Sequence, residues 1–240
     1  MSVNPPDIQE RVKGLAADGL LAYAARHFAG KLAFATSLGL EDQVITHMIY
    51  AQSLPIPIFT LDTGRLPEQT YETLAATERR YGLRIEVVFP DAADVQKMVA
   101  EQGINLFRDS VEGRKACCRV RKVLPLQRRL AGLEAWVAGL RREQSPTRQD
   151  LAAVQWDGVS GLLKINPLSD WTLQQVWQYI RRHKVPYNKL HDEGYPSLGC
   201  EPCTRAVREG EDIRAGRWWW EKPEHKECGL HPTGAAARKA

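Results

Sequence analysis

The chain reads as an α/β protein with a parallel-type sheet and helices on both faces. Three observations predict it. Short β-rich apolar runs recur along the sequence, stretches of helical spacing separate them, and 240 residues at 43% hydrophobic and 26% charged are enough to bury one large core. In chain order, residues 31–36 (KLAFAT) form the first strand and 41–51 the helix after it. Residues 57–61 (PIFTL) and helix 67–81 follow, then 84–89 (RIEVVF) and helix 91–101, which Asp91 is placed to cap. Residues 134–138 (EAWVA) and 161–166 (GLLKIN) complete the strands, and helix 172–183, with Asp170 as its cap, ends the regular pattern. From about Val185 onward Pro, Gly, Cys and Trp dominate. The expected organisation is therefore a single domain over 1–240, with an α/β nucleotide-binding core over 1–184. Residues 185–240 would be a lid segment packed on that core, and GAAARKA a mobile end.

Ligands of open α/β sheets sit at the carboxyl ends of the strands, where strand order reverses. After the first strand comes Ser37-Leu38-Gly39-Leu40-Glu41-Asp42, a turn feeding a helix N-terminus and suited to cradling an anion with backbone N–H groups. After the second comes Leu61-Asp62-Thr63-Gly64-Arg65, after the fourth the loop 139–145, and after the fifth Asn166-Pro167-Leu168-Ser169-Asp170. Loops converging on one rim predict a nucleotide-sized site. Glu41 and Asp42 are read as loop-orienting groups, and His47 as structural.

The five cysteines carry the most chemistry. Cys117-Cys118 in KACCRVRK and Cys200-Cys203 in GCEPC lie beside Gly, Pro, Lys and Arg and not in apolar runs, which argues against plain core packing. A CxxC chelate suits zinc and iron equally. Adjacent ligands strain a compact one-metal tetrahedron, whereas the corners of an iron-sulfur cluster stand far enough apart for neighbours, so the reading leans to the cluster with zinc as the rival. Four thiolates complete one set, and the fifth, Cys228 in ECGLH, is left as a working thiol. An odd cysteine count and the absence of a secretory or membrane-spanning pattern predict a cytosolic protein without a disulfide framework. The formal charge of +4 suits an anionic substrate or a nucleic acid.

Taken together, SLGLED, LDTGR, CCRVRKVLPL, GLRREQS, INPLSDW, SLGCEPCT, RAGRWWWE and ECGLH resemble the assimilatory adenosine 5'-phosphosulfate (APS) reductases, relatives of the 3'-phosphoadenosine 5'-phosphosulfate (PAPS) reductases. SLGLED is also similar to the SGGxDS loop of ATP-pyrophosphatase-type enzymes, without its second glycine and final serine. The resemblance implies an adenine-nucleotide hydrolase-like sheet and a four-iron four-sulfur (4Fe-4S) cluster held by Cys117, Cys118, Cys200 and Cys203. It further implies thioredoxin as electron donor.

The chemistry expected is attack of the Cys228 thiolate on the sulfonyl sulfur, release of AMP, and displacement of sulfite by an external dithiol, since no other cysteine is spare. Cys228 has His225, Lys226 and His231 close in sequence. Ser37, Gly39, Asp62, Thr63 and Gly64 are expected at the nucleotide, with Arg121, Lys122, Arg142, Arg214 and Arg217 as clamps on phosphate and sulfate. Lys122, beside the cluster ligands, would link cluster charge to bound sulfate, which gives the cluster an electrostatic and structural role. Gly216 and Gly229 are candidate hinges. Of Trp218-Trp219-Trp220, one ring is expected buried, one at the adenosine pocket and one facing a partner. Neither nucleic acid nor membrane is expected as a partner, and a homo-oligomer is allowed. The rivals are PAPS reduction by the same thiol chemistry, tRNA thiolation on a related sheet, which would need an intact adenylating loop, and a zinc-stapled nucleic-acid module indifferent to loss of Cys228.

Overall fold

The computed structural model describes residues 5–145 and 148–222. Strands β1 (Leu32–Thr36), β2 (Ile58–Leu61), β3 (Glu86–Val88), β4 (Ala135–Val137), β5 (Val154–Asp157) and β6 (Leu162–Ile165) form one six-stranded sheet in the order β3-β2-β1-β4-β6-β5. All neighbours are parallel except β5, which runs antiparallel to β6 with Val154 opposite Ile165. The five expected strands are present, each trimmed by one to three residues, and β5 is an addition at the edge. Strand order reverses between β1 and β4, so the loops after these two strands flank the crevice where such sheets bind ligands.

Two buried clusters cover the two faces. One joins Phe34, Val137 and Ile165 of the sheet to Leu21 and Ala24 of α2 (Ala17–His27), Val44 and Ile45 of α3 (Leu40–Ala51) and Val176 and Ile180 of the last long helix (Leu173–His183). The other packs Ala33, Phe59 and Trp136 against Leu126 and Leu130. Alternation of neighbours such as Ala33 and Phe34 between faces is the pleat at work, and both faces being buried explains the continuous apolar reading of β1.

The helices in chain order are α1 (Pro5–Val12), α2, α3, α4 (Glu68–Tyr81), α5 (Ala92–Gln102), α6 (Leu106–Asp109), α7 (Val111–Cys118), α8 (Leu124–Leu130) and α9 (Leu173–His183). Asp91 caps α5 as expected, accepting from the Ala93 and Asp94 amides at 2.9 and 3.2 Å. The cap of α9 is a correction. Thr172, not Asp170, accepts from Gln175 N at 3.1 Å while the Gln175 side chain accepts from Thr172 N at 2.8 Å, a reciprocal box that Asp170, two residues earlier, is out of register to make. Asp170 pairs instead with Arg142. After α9 the described chain has only short 3-10 turns, at Lys189–His191 and Glu201–Cys203, and an isolated bridge between Thr204 and Arg217.

Candidate functional site

The loop after β1 is built around Asp42. Its carboxylate accepts from both the amide and the hydroxyl of Ser37, each at 2.6 Å, and from the Gly139 amide of the loop after β4. It thus ties together the two loops that flank the switch point. Burial pushes its pKa up to about 6, against the lowering effect of these hydrogen bonds. Gly139 is required by close approach, because a Cβ there would clash with the Asp42 carboxylate. Glu41 makes the second tie, a 2.8 Å ion pair with Arg141, whose guanidinium also reaches Glu143 and the Trp171 carbonyl at 3.2 Å. Both acids orient the loop, as expected of them. Gly39 is the N-cap of α3 in extended backbone, so it is placed at a helix N-terminus beneath the turn.

The loop after β2 is similarly preset. Asp62 accepts from the Gly64 amide at 2.7 Å and from the Tyr71 hydroxyl at 3.0 Å, and Gly64 takes a φ of +71° that a side chain would strain. Thr63 faces the other way. Its carbonyl accepts from Arg121 at 2.7 Å, and its hydroxyl lies 3.2 Å from Cys200 Sγ.

Cys117, Cys118, Cys200 and Cys203 are all buried and reduced, and they line a single cavity together with Arg65, Arg121, Lys122, Arg217, Phe107, Pro202 and Trp218. Two segments distant in sequence therefore deliver two thiols each to one place. The first delivery depends on a helix irregularity. Pro125 has no N–H to continue the α-helical ladder, and residues Arg119–Val123 form a π-helical turn in which Leu124 N–H reaches Arg119 O. Arg121 and Lys122, four residues beyond Cys117 and Cys118, lie on the same face as those cysteines and line the cavity with them.

The second delivery comes from the 3-10 turn Glu201–Cys203, fixed by the Glu201 amide donating to Arg65 O at 2.9 Å. Burial pushes the Cys203 thiol up to about 11 and raises Cys117. Burial also acts to raise Cys200, but Lys122, the Thr63 hydroxyl, Arg217 and Arg121 outweigh it and hold that thiol below its ordinary value. Within the cavity wall, Arg121 Nε, Arg217 Nε and Trp218 Nε1 are buried donors without a hydrogen-bond partner among the described residues. Among those residues no group of three or more His, Cys, Asp or Glu is close enough to hold one metal ion.

The expected cations separate. Arg121, Lys122 and Arg217 gather at the cysteine cavity. Arg217 fits there because Gly199 leaves room for it, a Cβ at 199 clashing with the guanidinium. Arg142 is not among the residues lining that cavity, its Nε donating to Leu151 O at 2.8 Å and its guanidinium pairing with Asp170. Arg214 lies half-buried in a turn, its amide donating to Asp212 at 2.8 Å. Gly216 is buried, with its carbonyl accepting from Arg205 N at 3.0 Å and no space for a Cβ, so close packing accounts for the glycine.

The three tryptophans also divide. Trp218 is buried between Arg114 and Arg217, whose guanidinium carbons lie 4.6 and 4.7 Å from its ring centroid. Trp219 is exposed and packs edge-on against Trp220, which contacts Phe107. Both outer rings lean on the Phe107–Arg108 corner. His47 is structural as expected, its Nδ1 2.8 Å from the Tyr179 hydroxyl. Sequence reasoning missed Arg114, Glu221, Arg141 and Tyr71, whose roles rest on contacts made in the fold and not on a local pattern. Cys228, His225, Lys226, Gly229 and His231 lie outside the described residues.

The family model of the phosphoadenosine phosphosulfate reductase domain matches residues 31–206. The chain is 56% identical over 224 residues to a protein of Allochromatium vinosum named adenosine 5'-phosphosulfate reductase, covering 93% of this chain and 87% of that one. Proteins of the same name from Burkholderia cepacia and Agrobacterium fabrum are 51% and 45% identical, over 95% and 98% of this chain and 90% of each. Among solved structures, a PAPS reductase from Candida auris in a phosphate complex superposes with a TM-score of 0.73 at 27% identity, covering 86% of this chain and 99% of that one. An FMN adenylyltransferase of Candida glabrata, with a TM-score of 0.55 at 16% identity over 98% of this chain and 82% of that one, shares the fold.

Proposed function

The chain belongs to the phosphoadenosine phosphosulfate reductase domain family, and from that premise we propose that it reduces APS to sulfite and AMP. The observation that carries the choice of substrate is the 45–56% identity, over nearly the whole chain, to relatives named APS reductase, against 27% to the PAPS reductase structure. The loops support a nucleotide: the Ser37–Asp42 turn and Gly139 flank the switch point, with the Asp62–Gly64 loop on the neighbouring strand β2.

Cys228 is the nucleophile in this reading. Its thiolate attacks the sulfonyl sulfur, an S–S bond forms as the bond from sulfur to the phosphate oxygen breaks, and AMP leaves. A dithiol protein, thioredoxin, then supplies the electrons. One of its thiolates bonds to Cys228 Sγ, sulfite departs with the electron pair of the broken S–S bond, and its second thiol closes a disulfide and frees Cys228. Arg121, Lys122, Arg214 and Arg217 are assigned to the anionic end of the substrate and Arg142 to its phosphate side.

The cysteine cavity fits a 4Fe-4S cluster better than one zinc ion. What supports the reading is that four thiols line one cavity and that the unpartnered N–H donors of Arg121, Arg217 and Trp218 are the chemistry that sulfide and thiolate accept. Bound there, the cluster would supply a fixed charge and a tie between the α7 and 200–203 segments, with Lys122 between it and the sulfate. The reading is tested by sulfite release from anaerobically purified protein with reduced thioredoxin, comparing APS with PAPS. Preference for APS and a sulfonated mass adduct lost in Cys228→Ser are expected. Preference for PAPS would overturn the substrate, and an adduct of normal mass in Cys228→Ser would overturn the nucleophile.

A further inference from the structure

Glu221 lies seven residues before Cys228 in the sequence, and its side chain is only 3% exposed. Its carboxylate receives a fork from Arg114, with Nε at 3.0 Å to one oxygen and Nη2 at 2.9 Å to the other. Arg114 is itself only 1% exposed and stands on α7, three residues before Cys117. The same guanidinium lies over the ring of Trp218, whose amide donates to Cys203 O at 3.2 Å and whose carbonyl accepts from Glu221 N at 2.8 Å. Trp218 holds a φ of +40°, a conformation rare for a bulky side chain and sustained only where surroundings determine it. Both walls of the cysteine cavity, α7 on one side and the 200–203 turn on the other, therefore converge on Glu221.

A fully buried ion pair is a poor way to gain stability, since desolvation offsets most of the attraction; its best-attested use is to fix one arrangement over others. What is fixed here is the root of the chain bearing the nucleophile. Cys228 lies seven residues beyond Glu221, so its sulfur is confined to within about 25 Å of that anchor by chain length alone. The fork fixes the place of Glu221, next to the last described residue before that segment.

We infer that Arg114 and Glu221 are positioning residues for the thiol step, a clamp that registers the root of the Cys228 segment to the cysteine-bearing helix α7. The inference rests on the proposed reduction of APS by Cys228. It adds that the cavity and the nucleophile are mechanically joined, so that the arrangement of α7 determines where the thiol can reach.

The test uses full-length, anaerobically purified protein and two variants that keep both charges but spoil the fork, Glu221→Asp and Arg114→Lys. Four quantities are measured: iron per chain, APS equilibrium affinity, the first-order rate of Cys228 sulfonation at saturating APS by quenched mass spectrometry, and the rate of Cys228 alkylation by iodoacetamide without nucleotide. The expected result is parental iron, affinity and alkylation, with sulfonation slowed at least about tenfold, as a displacement of about 1 Å at a reacting atom produces. Sulfonation within about twofold of the parent in both variants would overturn the clamp, on the scale that misplacement has in such steps. A parallel fall of iron or APS affinity in both would also overturn it, since the pair would then merely hold the cavity closed. If the parent itself gave no sulfonated Cys228, the proposed function would fall and the clamp with it, a result distinct from either of the others.

Discussion

Replacing Asp42 by Asn removes a buried charge from the point where the loops after β1 and β4 meet. In the folded protein burial lifts this carboxyl from 3.8 to about 6, while in the unfolded chain it returns to its ordinary value. A raised folded pKa means the fold prefers the protonated acid. The contribution to stability is therefore fully present below the unfolded value and is lost as pH rises through the folded one. The whole effect is about 3 kcal/mol, of which roughly 1 kcal/mol falls between pH 5 and 7.5. Asn does not titrate, so the comparison that isolates Asp42 is the stability of the parent minus that of Asp42→Asn, from urea unfolding at several pH values. That difference should move against the parent by about 1 kcal/mol from pH 5 to 7.5. A difference that is flat, or that moves in favour of the parent, would refute the argument and mean that the hydrogen bonds from Ser37 and Gly139 outweigh burial.

Two further perturbations follow from the same geometry. Arg141→Ala strands Glu41 in a site where the pair is 3% and 14% exposed, and should lower unfolding stability by about 3 kcal/mol in denaturant titration, the range for breaking a largely buried pair. Cys203→Ser should purify without the brown chromophore and without stoichiometric iron; retained iron and full turnover would remove Cys203 from the ligand set.

Most of the sheet was legible because β1, β2 and β4 are buried on both faces and read as continuous apolar runs bounded by turns. β5 was not, because only Val154 of its four residues is a buried hydrophobic. Its other buried residue is Asp157, made acceptable inside by Lys164 at 3.2 Å, Trp136 Nε1 at 3.2 Å and Ser160 at 2.8 Å, partners that no local pattern announces. The cysteine-bearing helix was hidden for a different reason. Gly113 lowers helix propensity in α7 and is there because a Cβ would clash with Leu106 O of α6, a tertiary demand. At the site, residue types that carry chemistry alone were found from sequence. Arg114 and Glu221 were missed, since their meaning lies in a contact 107 residues apart in the chain.

The loop after β2 joins the carboxyl end of that strand to the cysteine cavity. Asp62 and Gly64 shape the rim side, through the 2.7 Å turn bond and the left-handed backbone of Gly64. Thr63, between them, spends its carbonyl on Arg121 and its hydroxyl on Cys200, both members of the cavity. Thr63 is 1% exposed, so neither contact can be exchanged for water without opening the loop. A shift of the cavity wall that lengthened the Arg121 or Cys200 contact would carry the Thr63 backbone with it, and with that the amides of Gly64 and Arg65 at the rim. Coupling of this kind needs no electron to pass. It requires only that Cys200 and Arg121 keep their places in the cavity wall.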